Sequence, residues 1–389
     1  MFSDSYFYGS IGPSRRDMRL GDKLRAINWG FILVVGMVAS LGFSMLYSVA
    51  DGSFEPWASK QMIRFVIGLG LLVTVAVIDL RIWLKLAYPA YALALFLLVV
   101  VEIMGTIGMG AQRWLDLGPI QLQPSEIMKI ALVLALARYF HILPLEDASR
   151  LVWLLPPLLL VLAPCMLIIR QPDLGTAILV GLSGFSLFFL AGVAWRYFIA
   201  VAVLLGAAVP LAWTMLLHDY QRNRIFTFLD PSRDPLGAGY HIMQSKIALG
   251  AGGLSGKGFM QGTQSHLNFL PEKQTDFIFT MFAEEFGLIG GLVLLGLFGF
   301  LLMMSFSIAL QSRNHFGRLV ATGITMIFFL YVFINVAMVM GLVPVVGVPL
   351  PLVSYGGTAM MSLMFGFGLL MSVHVHRGVD NPRSSPALW

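Results

Sequence analysis

Runs of about twenty apolar residues recur along the whole chain, and each is long enough to cross a bilayer as a helix. The chain of 389 residues is 58% hydrophobic and only 12% charged, whereas soluble domains carry about 25% charged residues. Helices satisfy their own backbone hydrogen bonds in lipid. The sequence therefore predicts an all-α polytopic membrane protein.

The apolar runs define ten predicted spans. They lie at 28–50, 61–79, 82–103, 125–141, 151–170, 175–193, 197–217, 277–310, 317–340 and 352–374. The fourth span is the least regular, because Glu126 and Lys129 fall in its first turns. The eighth is long enough to tilt or to extend past the bilayer.

The distribution of Lys and Arg predicts the orientation of these spans. An even number of spans places both termini on one side, which carries fourteen Lys and Arg in its tails and loops, against four in the short loops opposite. Because positive loops stay in the cytoplasm, we expect a basic cytoplasmic tail (1–26), a ten-span membrane domain (27–376) with one large extracytoplasmic loop (218–276), and a cytoplasmic tail (377–389). The first tail is expected to be flexible.

Several kinds of site are excluded. The single Cys165 rules out an intrachain disulfide and a multi-cysteine metal site. The stretch "GGLSGKG" resembles a phosphate loop, but Ala251 and Gly258 stand where that pattern requires Gly and Ser or Thr. The net charge of +5 follows from the sidedness of a membrane protein, so no nucleic-acid partner is predicted.

Four groups of polar residues lie at the outer ends of the spans, where ionisable side chains are costly and usually functional. They are Arg113 with Glu126 and Lys129; Arg170 with Asp173; Asp276 with Thr280 and Glu284; and the Pro- and Gly-rich stretch 344–360, which contains Ser354. A short surface helix with Tyr240, Met243 and Ile247 on one stripe is predicted inside the large loop.

Structural interpretations compete with functional ones at each group. Glu126 and Lys129, three residues apart, share a helix face and can form an ion pair that only holds the helix. Asp173 and Asp276 are each suited to cap the following helix. Lys273, beside Glu272, can belong to a solvated rim.

A half-shielded carboxylate at Asp276 would have a raised pKa, as a general base requires. Together the groups predict an outward-facing cavity with carboxylates, cations and irregular backbone. Such a cavity suits an anionic, lipid-linked substrate. Both an enzyme acting on the lipid and a transporter moving it fit this description.

The stretches "GAQRWLDLGPIQLQPSEIMKIA", "GTQSHLNFLPEKQTDFIFTMFAEEFGLIG" and "GLVPVVGVPLPLVSYGGTAM" closely resemble the SEDS family of bacterial cell-wall polymerases. The resemblance runs from about residue 25 to 377, and the motifs are more similar to those of the rod-shape members than to those of the division members. It implies a ten-span SEDS-type fold and a peptidoglycan glycosyltransferase. The enzyme would polymerise lipid II into β-1,4 glycan strands at the periplasmic face of the inner membrane during cell elongation.

The family also implies roles for residues and partners. Asp276 matches the essential carboxylate, and Glu126 and Lys129 match residues that line the same cavity. Family members work with a class B penicillin-binding protein, a transpeptidase that crosslinks the strand. A scaffold that only docks this transpeptidase is a third hypothesis, which leaves the polar cavity unexplained.

Forming a β linkage from an α-linked pyrophosphate inverts the anomeric carbon, so one displacement with one base suffices. We expect Asp276 to be that base, with Glu126 and Lys129 tuning it. The remaining candidates for substrate binding are Arg113, Asp173, Arg222, Lys246, Lys257, Lys273 and Ser354. A divalent cation (Mg²⁺ or Mn²⁺) would help to offset the pyrophosphate charge, although no metal-ligand motif and no covalently bound cofactor are indicated. A lipid II flippase is the alternative function.

Overall fold

The computed structural model describes residues 18–378 apart from 109–110, 117, 119–120, 145, 148, 216–221, 223–225, 231, 233–237 and 264–271. Its helices are α1 (Leu20–Ala26), α2 (Trp29–Val49), α3 (Ala58–Val77), α4 (Leu80–Met104), α5 (Pro124–Ile142), α6 (Leu151–Arg170), α7 (Leu174–Leu190), α8 (Trp195–Met215), α9 (Ala238–Ala251), α10 (Ile278–Gln311), α11 (His315–Val339) and α12 (Gly357–Val375). Its strands are β1 (Thr106–Gly108), β2 (Ala111–Asp116) and β3 (Gln121–Leu122).

Each of the ten predicted spans coincides with one helix, α2–α8 and α10–α12, so the predicted helical membrane fold is confirmed. Seven of these helices are long and apolar enough to cross a membrane, by length and composition: α2, α3, α4, α6, α10, α11 and α12. The apolar helices α7 and 195–204 of α8 are shorter. The last helix begins at Gly357 rather than at 352, because the chain between 344 and 356 is irregular.

The three strands form a small antiparallel sheet in the order β1-β2-β3, with Leu115 of β2 opposite Leu122 of β3. The sequence analysis did not predict this sheet. It lies between α4 and α5, at the end of the bundle where α8 ends and α10 begins. We call this end the hairpin end, and the opposite end, with α1 and the C-terminus of α12, the terminal end.

The N-terminal segment differs from the predicted flexible tail in its last residues. Residues 20–26 form α1, and the Lys23 ammonium donates to Val77 O at the end of α3 (2.9 Å). Residues 1–17 and 379–389 of the two predicted tails lie outside the described residues. Much of the predicted loop 218–276 also lies outside them.

Two clusters of buried apolar residues hold the bundle together, and α11 belongs to both. One cluster joins α2, α3, α10 and α12, and the other joins α4, α5, α6 and α7. Phe328 and Val332 of α11 point into the first, while Ile327 and Tyr331 pack in the second. Since α11 is also the most buried of the seven apolar spans, it is the element against which both halves are positioned.

The predicted short helix of the large loop is present as α9. Met243 and Ile247 are exposed on one side. On the other side Ser245 is fully buried, where its hydroxyl lies 2.9 Å from Thr280 Oγ1 and donates to Val339 O (2.9 Å). These contacts fasten α9 to α10 and α11.

A kink at Gly287 divides α10 into a short first part and the long part 288–311. Gly287 has φ +68°, outside the helical range. The kink separates two carbonyls (284–285) from the two N–H groups (288–289) that they would accept in a continuous helix. Instead, the carbonyls accept from the N–H groups of 257–258 (both 3.0 Å), and the N–H groups donate to the carbonyls of 253–254 (2.9 and 3.1 Å). The loop after α9 thus satisfies the backbone groups that the kink releases.

Substituting Gly287→Ala is expected to destabilise the protein. A residue with a Cβ is strained at this positive φ by about 1–3 kcal/mol, and the new atom would overlap Gly256 N. Thermal unfolding of the purified protein in detergent should therefore occur at a lower temperature. Gly296→Ala is the matched control in the same helix, because nothing lies within 4 Å of its Cβ position. Equal unfolding temperatures for the two variants would contradict the role of the kink.

Candidate functional site

The segment that precedes α10 is fixed through three consecutive carbonyl groups. The carbonyls of residues 274–276 accept, in order, from Tyr355 N (2.9 Å), Ser354 Oγ (2.6 Å) and Asn335 Nδ2 (2.9 Å). Two of these donors lie on the irregular loop 341–356 and one lies on α11. A non-helical stretch beside the membrane is stable only when its backbone groups are satisfied in this way.

Ser354, predicted to bind substrate, has its hydroxyl engaged inside the protein. Besides donating to Thr275 O, its Oγ accepts from Leu350 N (2.7 Å), and its carbonyl accepts from Gln61 Nε2 on α3 (2.9 Å). Ser354 therefore orders the loop and the segment before α10.

Asp276 ends that segment, and the interpretation of it as a helix cap is wrong. The N-cap of α10 is Phe277, and no side chain caps this helix. The Asp276 side chain is half-buried and faces Gly347, where an added Cβ would lie 3.3 Å from Asp276 Oδ2. Gly347 has φ +70°, so glycine both permits the turn and leaves room beside the carboxyl.

The pKa of Asp276 is raised from its ordinary 3.8 to about 7. Burial is the largest cause, and the nearby Glu272 carboxylate raises the pKa further. Arg113 opposes these effects by stabilising the charged form, while Asp173 adds to them. A carboxyl with a pKa near 7 accepts a proton at neutral pH more readily than an ordinary Asp does.

The sheet brings Arg113 to Asp173. Arg113 Nε lies 3.5 Å from Asp173 Oδ2, and Arg113 Nη2 donates to Pro172 O (3.3 Å). Asp173 also caps α7, as predicted, because its carboxylate accepts from Thr176 N (3.1 Å) and Thr176 Oγ1 (2.9 Å). Since Arg113 and Asp173 both influence Asp276, the three side chains form one electrostatic group.

The predicted Glu126–Lys129 ion pair is present and buried. Lys129 Nζ lies 2.7 Å from Glu126 Oε1. The Lys129 side chain is only 2% exposed and the Glu126 side chain 6%. The Tyr331 hydroxyl contacts Lys129 Nζ and donates to the Glu126 carboxylate (2.8 and 2.9 Å), and Ser362 Oγ donates to Glu126 Oε2 (2.8 Å). These hydroxyls supply partners that a buried pair requires beyond its own attraction.

A cavity adjoins the ion pair. Its wall is mainly apolar and comes from α3, α5, α11, α12 and the loop 349–356. Its polar members are Gln61, Glu126, Lys129, Tyr331, Ser354 and Ser362. We expected Asp276 to share this cavity with Glu126 and Lys129. The Asp276 carboxyl is instead outside the wall, and Ser354 connects the cavity to the segment that carries Asp276.

Two of the lysines predicted to bind substrate, Lys257 and Lys246, differ in their surroundings. Lys257 forms an ion pair with Glu284 (2.6 Å) and donates to Thr263 Oγ1 (2.7 Å). Lys246 is exposed on α9, where its side chain lies over Gly341. Lys257 therefore compensates a fully buried carboxylate, whereas Lys246 faces outwards.

Lys273 does not lie in a solvated rim. Its side chain is buried, and this burial lowers the pKa of the ammonium, while the Asp51 carboxylate acts in the opposite direction. Arg222, the remaining predicted cation, is half-buried and follows α8 in the sequence.

The sequence analysis missed Tyr331, Asn335 and Ser362. Tyr331 and Asn335 are polar side chains four residues apart within the otherwise apolar second half of α11 (326–339), and this spacing was the signal that could have identified them. Glu285 was also left without a role, yet it is buried, contacts Ser48 Oγ, and accepts from Met260 N (3.1 Å).

The described residues contain no group of three or more His, Cys, Asp or Glu that could hold a metal ion. Within the same residues, every buried Asp, Glu or Lys lies at the hairpin end: Glu126, Lys129, Asp173, Lys273, Glu284 and Glu285.

This fold and site define a polytopic membrane protein with a group of buried carboxylates and cations at one end of its bundle. The family profile of the cell cycle proteins FtsW, RodA and SpoVE matches residues 23–378, and the chain belongs to this family.

Its relatives include the peptidoglycan glycosyltransferase MrdB of Escherichia coli K12, 50% identical over 336 residues, which are 84% of this chain and 88% of MrdB. Among solved structures, a chain from a study of polymerization and crosslinking by a peptidoglycan synthase complex aligns with a TM-score of 0.79 and 34% identity, over 90% of this chain and 98% of that chain. Thermus thermophilus RodA, a rod shape determining protein, aligns with a TM-score of 0.68 and 31% identity, over 91% and 98%.

Removing one member of the Glu126–Lys129 pair is expected to destabilise the protein by about 3–5 kcal/mol, because the other charge is left buried alone. The double variant Glu126→Met with Lys129→Met should recover most of this loss. Thermal unfolding in detergent of both single variants and the double variant measures this coupling.

The pair Asp147–Arg150, which is open to solvent, is the control. It has the same spacing and a similar distance of 2.9 Å, and its side chains are 24% and 70% exposed. Removing either of its members should change the free energy of unfolding by less than about 1 kcal/mol. Additive losses at Glu126 and Lys129 would contradict the interpretation of a buried pair.

Proposed function

We propose that this chain is a peptidoglycan glycosyltransferase that polymerises lipid II into β-1,4 glycan strands during cell elongation. The observation that carries the proposal is Asp276, a half-buried carboxyl with a pKa near 7 on a rigidly held segment. The name of the E. coli relative and the rod-shape name of the Thermus relative support this activity and its place in elongation.

The reaction is a single displacement at the anomeric carbon. The acceptor's 4-hydroxyl oxygen bonds to that carbon while the bond to the pyrophosphate oxygen breaks, which inverts the configuration and releases undecaprenyl pyrophosphate. Asp276 accepts the hydroxyl proton as the bond forms. Glu126 and Lys129 carry opposite charges at 2.7 Å, so we assign them to shaping the adjacent cavity rather than to proton transfer.

Arg113 is the favoured ligand for the pyrophosphate. It is 25% exposed and already lies in the electrostatic group of Asp276, and Arg binds phosphate through several donors at once. Lys246 is available because it faces outwards, whereas Lys257 is held by Glu284. Any divalent cation used, Mg²⁺ or Mn²⁺, would bind chiefly through the phosphate oxygens, as is usual for Mg²⁺.

We also propose that the hairpin end faces the periplasm, with both termini in the cytoplasm and the chain in the inner membrane. The excess of Lys and Arg at the terminal end supports this orientation. The partner would be the class B penicillin-binding protein of the elongation complex. Its support is the likeness to a chain of a peptidoglycan synthase complex that coordinates polymerization and crosslinking.

Asp276→Asn is expected to reduce polymerisation by at least about 10²-fold, because a general base typically contributes 10²–10⁴-fold. Purified protein with its transpeptidase partner and lipid II should give a glycan ladder on a gel. The ladder should disappear in the variant, while thermal unfolding shows that the variant is folded.

Asp116→Asn, at an exposed residue of the sheet, is the control and should retain the ladder. A normal ladder from Asp276→Asn would show that a residue other than Asp276 is the base. If the wild type gave no ladder but moved lipid II across sealed vesicles, the flippase would replace the polymerase. The clustering of buried charges at the hairpin end favours the enzyme, since a translocation path needs polar groups through both halves of the bundle.

The pH dependence of the reaction should follow the ionisation of the Asp276 carboxyl. A base acts in its ionised form, so kcat/KM should rise with pH through an acid limb near 7. Glu272→Gln removes a charge that raises this pKa, so the limb should move to lower pH. Initial polymerisation rates at low lipid II concentration, measured from pH 5 to about 9, test this.

The control Asp22→Asn, exposed at the terminal end, should leave the limb in place. A wild-type kcat/KM that stays constant from about pH 5 upwards would contradict a base whose pKa is raised to about 7.

A further inference from the structure

α11 carries two buried polar side chains, Tyr331 and Asn335, in its last part (326–339), which is otherwise apolar. Both are buried, at 6% and 0% exposure. Four residues apart, they lie on the same helix face, about 6 Å from each other along the axis. Buried polar side chains in a membrane span are energetically costly and usually have a functional role.

Asn335 connects two separate pieces of irregular backbone. Its Nδ2 donates to Asp276 O (2.9 Å) and to Val348 O (2.7 Å). Two carbonyl acceptors can be satisfied only by the NH₂ group, which fixes the orientation of the amide. Its Oδ1 is buried with no hydrogen-bond partner among the described residues. Such an unsatisfied acceptor costs stability, so stability alone does not explain an Asn at this position.

Tyr331 makes the corresponding connection to the ion pair. Its hydroxyl donates to the Glu126 carboxylate and contacts Lys129 Nζ, on the neighbouring helix α5. The ring packs in the apolar cluster around α5 and α7. Tyr331 therefore fixes the ion pair to α11 as Asn335 fixes the segment of Asp276.

We propose that Asn335 and Tyr331 are positioning residues that hold Asp276 and the Glu126–Lys129 pair at a fixed spacing along α11. The inference rests on the proposed function. α11 is suited to this task because it packs in both apolar clusters and is the most buried of the apolar spans. A base that moves by about 1 Å can lose on the order of 10² in rate, so this spacing affects turnover more than binding.

The first test compares Asn335→Leu, Asn335→Gln and Tyr331→Phe in the polymerisation assay with the transpeptidase partner. Asn335→Leu should lower kcat about 10²-fold and change KM much less, because the carbonyls of Asp276 and Val348 lose their donor. Asn335→Gln keeps the amide donors and should retain more activity than Leu. Leu packs more easily among apolar helices, so a purely structural role predicts the opposite order, and that order would overturn the proposal.

The pH profile separates the two residues. Once its backbone anchor is lost, the Asp276 segment can relax towards water and the burial that raises its pKa decreases. The acid limb of kcat/KM should therefore move to lower pH in Asn335→Leu. In Tyr331→Phe the limb should stay near that of the wild type while kcat falls. Unchanged limbs and unchanged kcat in both variants would overturn the proposal.

Hydrogen–deuterium exchange tests the positioning without reference to activity. Asn335→Leu should increase exchange in the segment 272–277, and Phe333→Leu should not, since Phe333 is 54% exposed on another face of α11. If the wild type makes no polymer, the proposed function fails. The exchange measurement still tests the positioning by Asn335 in that case. Equal exchange of segment 272–277 in both variants would overturn it.

Discussion

The structure depends on one constraint: a polar group away from water is costly unless it has a partner inside the protein. The long helices meet it through their own backbone. The irregular segments at the hairpin end meet it through side chains, as when Ser354 and Asn335 serve the carbonyls of 275–276. Unsatisfied groups in such surroundings cost several kcal/mol each, so the position of Asp276 follows from the pairing of its neighbours.

The same constraint separates the charged residues into two kinds. Glu126 and Glu284 have cations at 2.7 and 2.6 Å and lie fully inside the bundle. Asp276 is only half-buried and is influenced by both acidic and basic neighbours. A carboxylate with a close cation is a poor proton acceptor, whereas one in balanced surroundings can change its charge. Glu126 and Glu284 are therefore held as ion pairs that stabilise the structure, whereas Asp276 can still gain and lose a proton.

Sequence reasoning recovered the features that depend on local pattern. Ten apolar runs gave ten helices, and the spacing of Glu126 and Lys129 gave their ion pair. The sheet around Arg113, the bond from Asn335 to Asp276 and the separation of Asp276 from the cavity wall depend on contacts between segments distant in the chain. A single sequence does not encode those distances in a local pattern. The Pro- and Gly-rich stretch signalled irregular backbone but not its partners.

At the Gly287 kink, the stretch 252–258 supplies the backbone hydrogen-bond partners that the helix α10 itself would otherwise provide. Such a stretch has no spare length, since each inserted residue would move a donor or acceptor away from the helix. Evolution can therefore lengthen this chain readily in other surface loops, but not there. The second half of α10 takes its direction from a loop that precedes it by about thirty residues, so the large loop and the membrane bundle must fold as one unit.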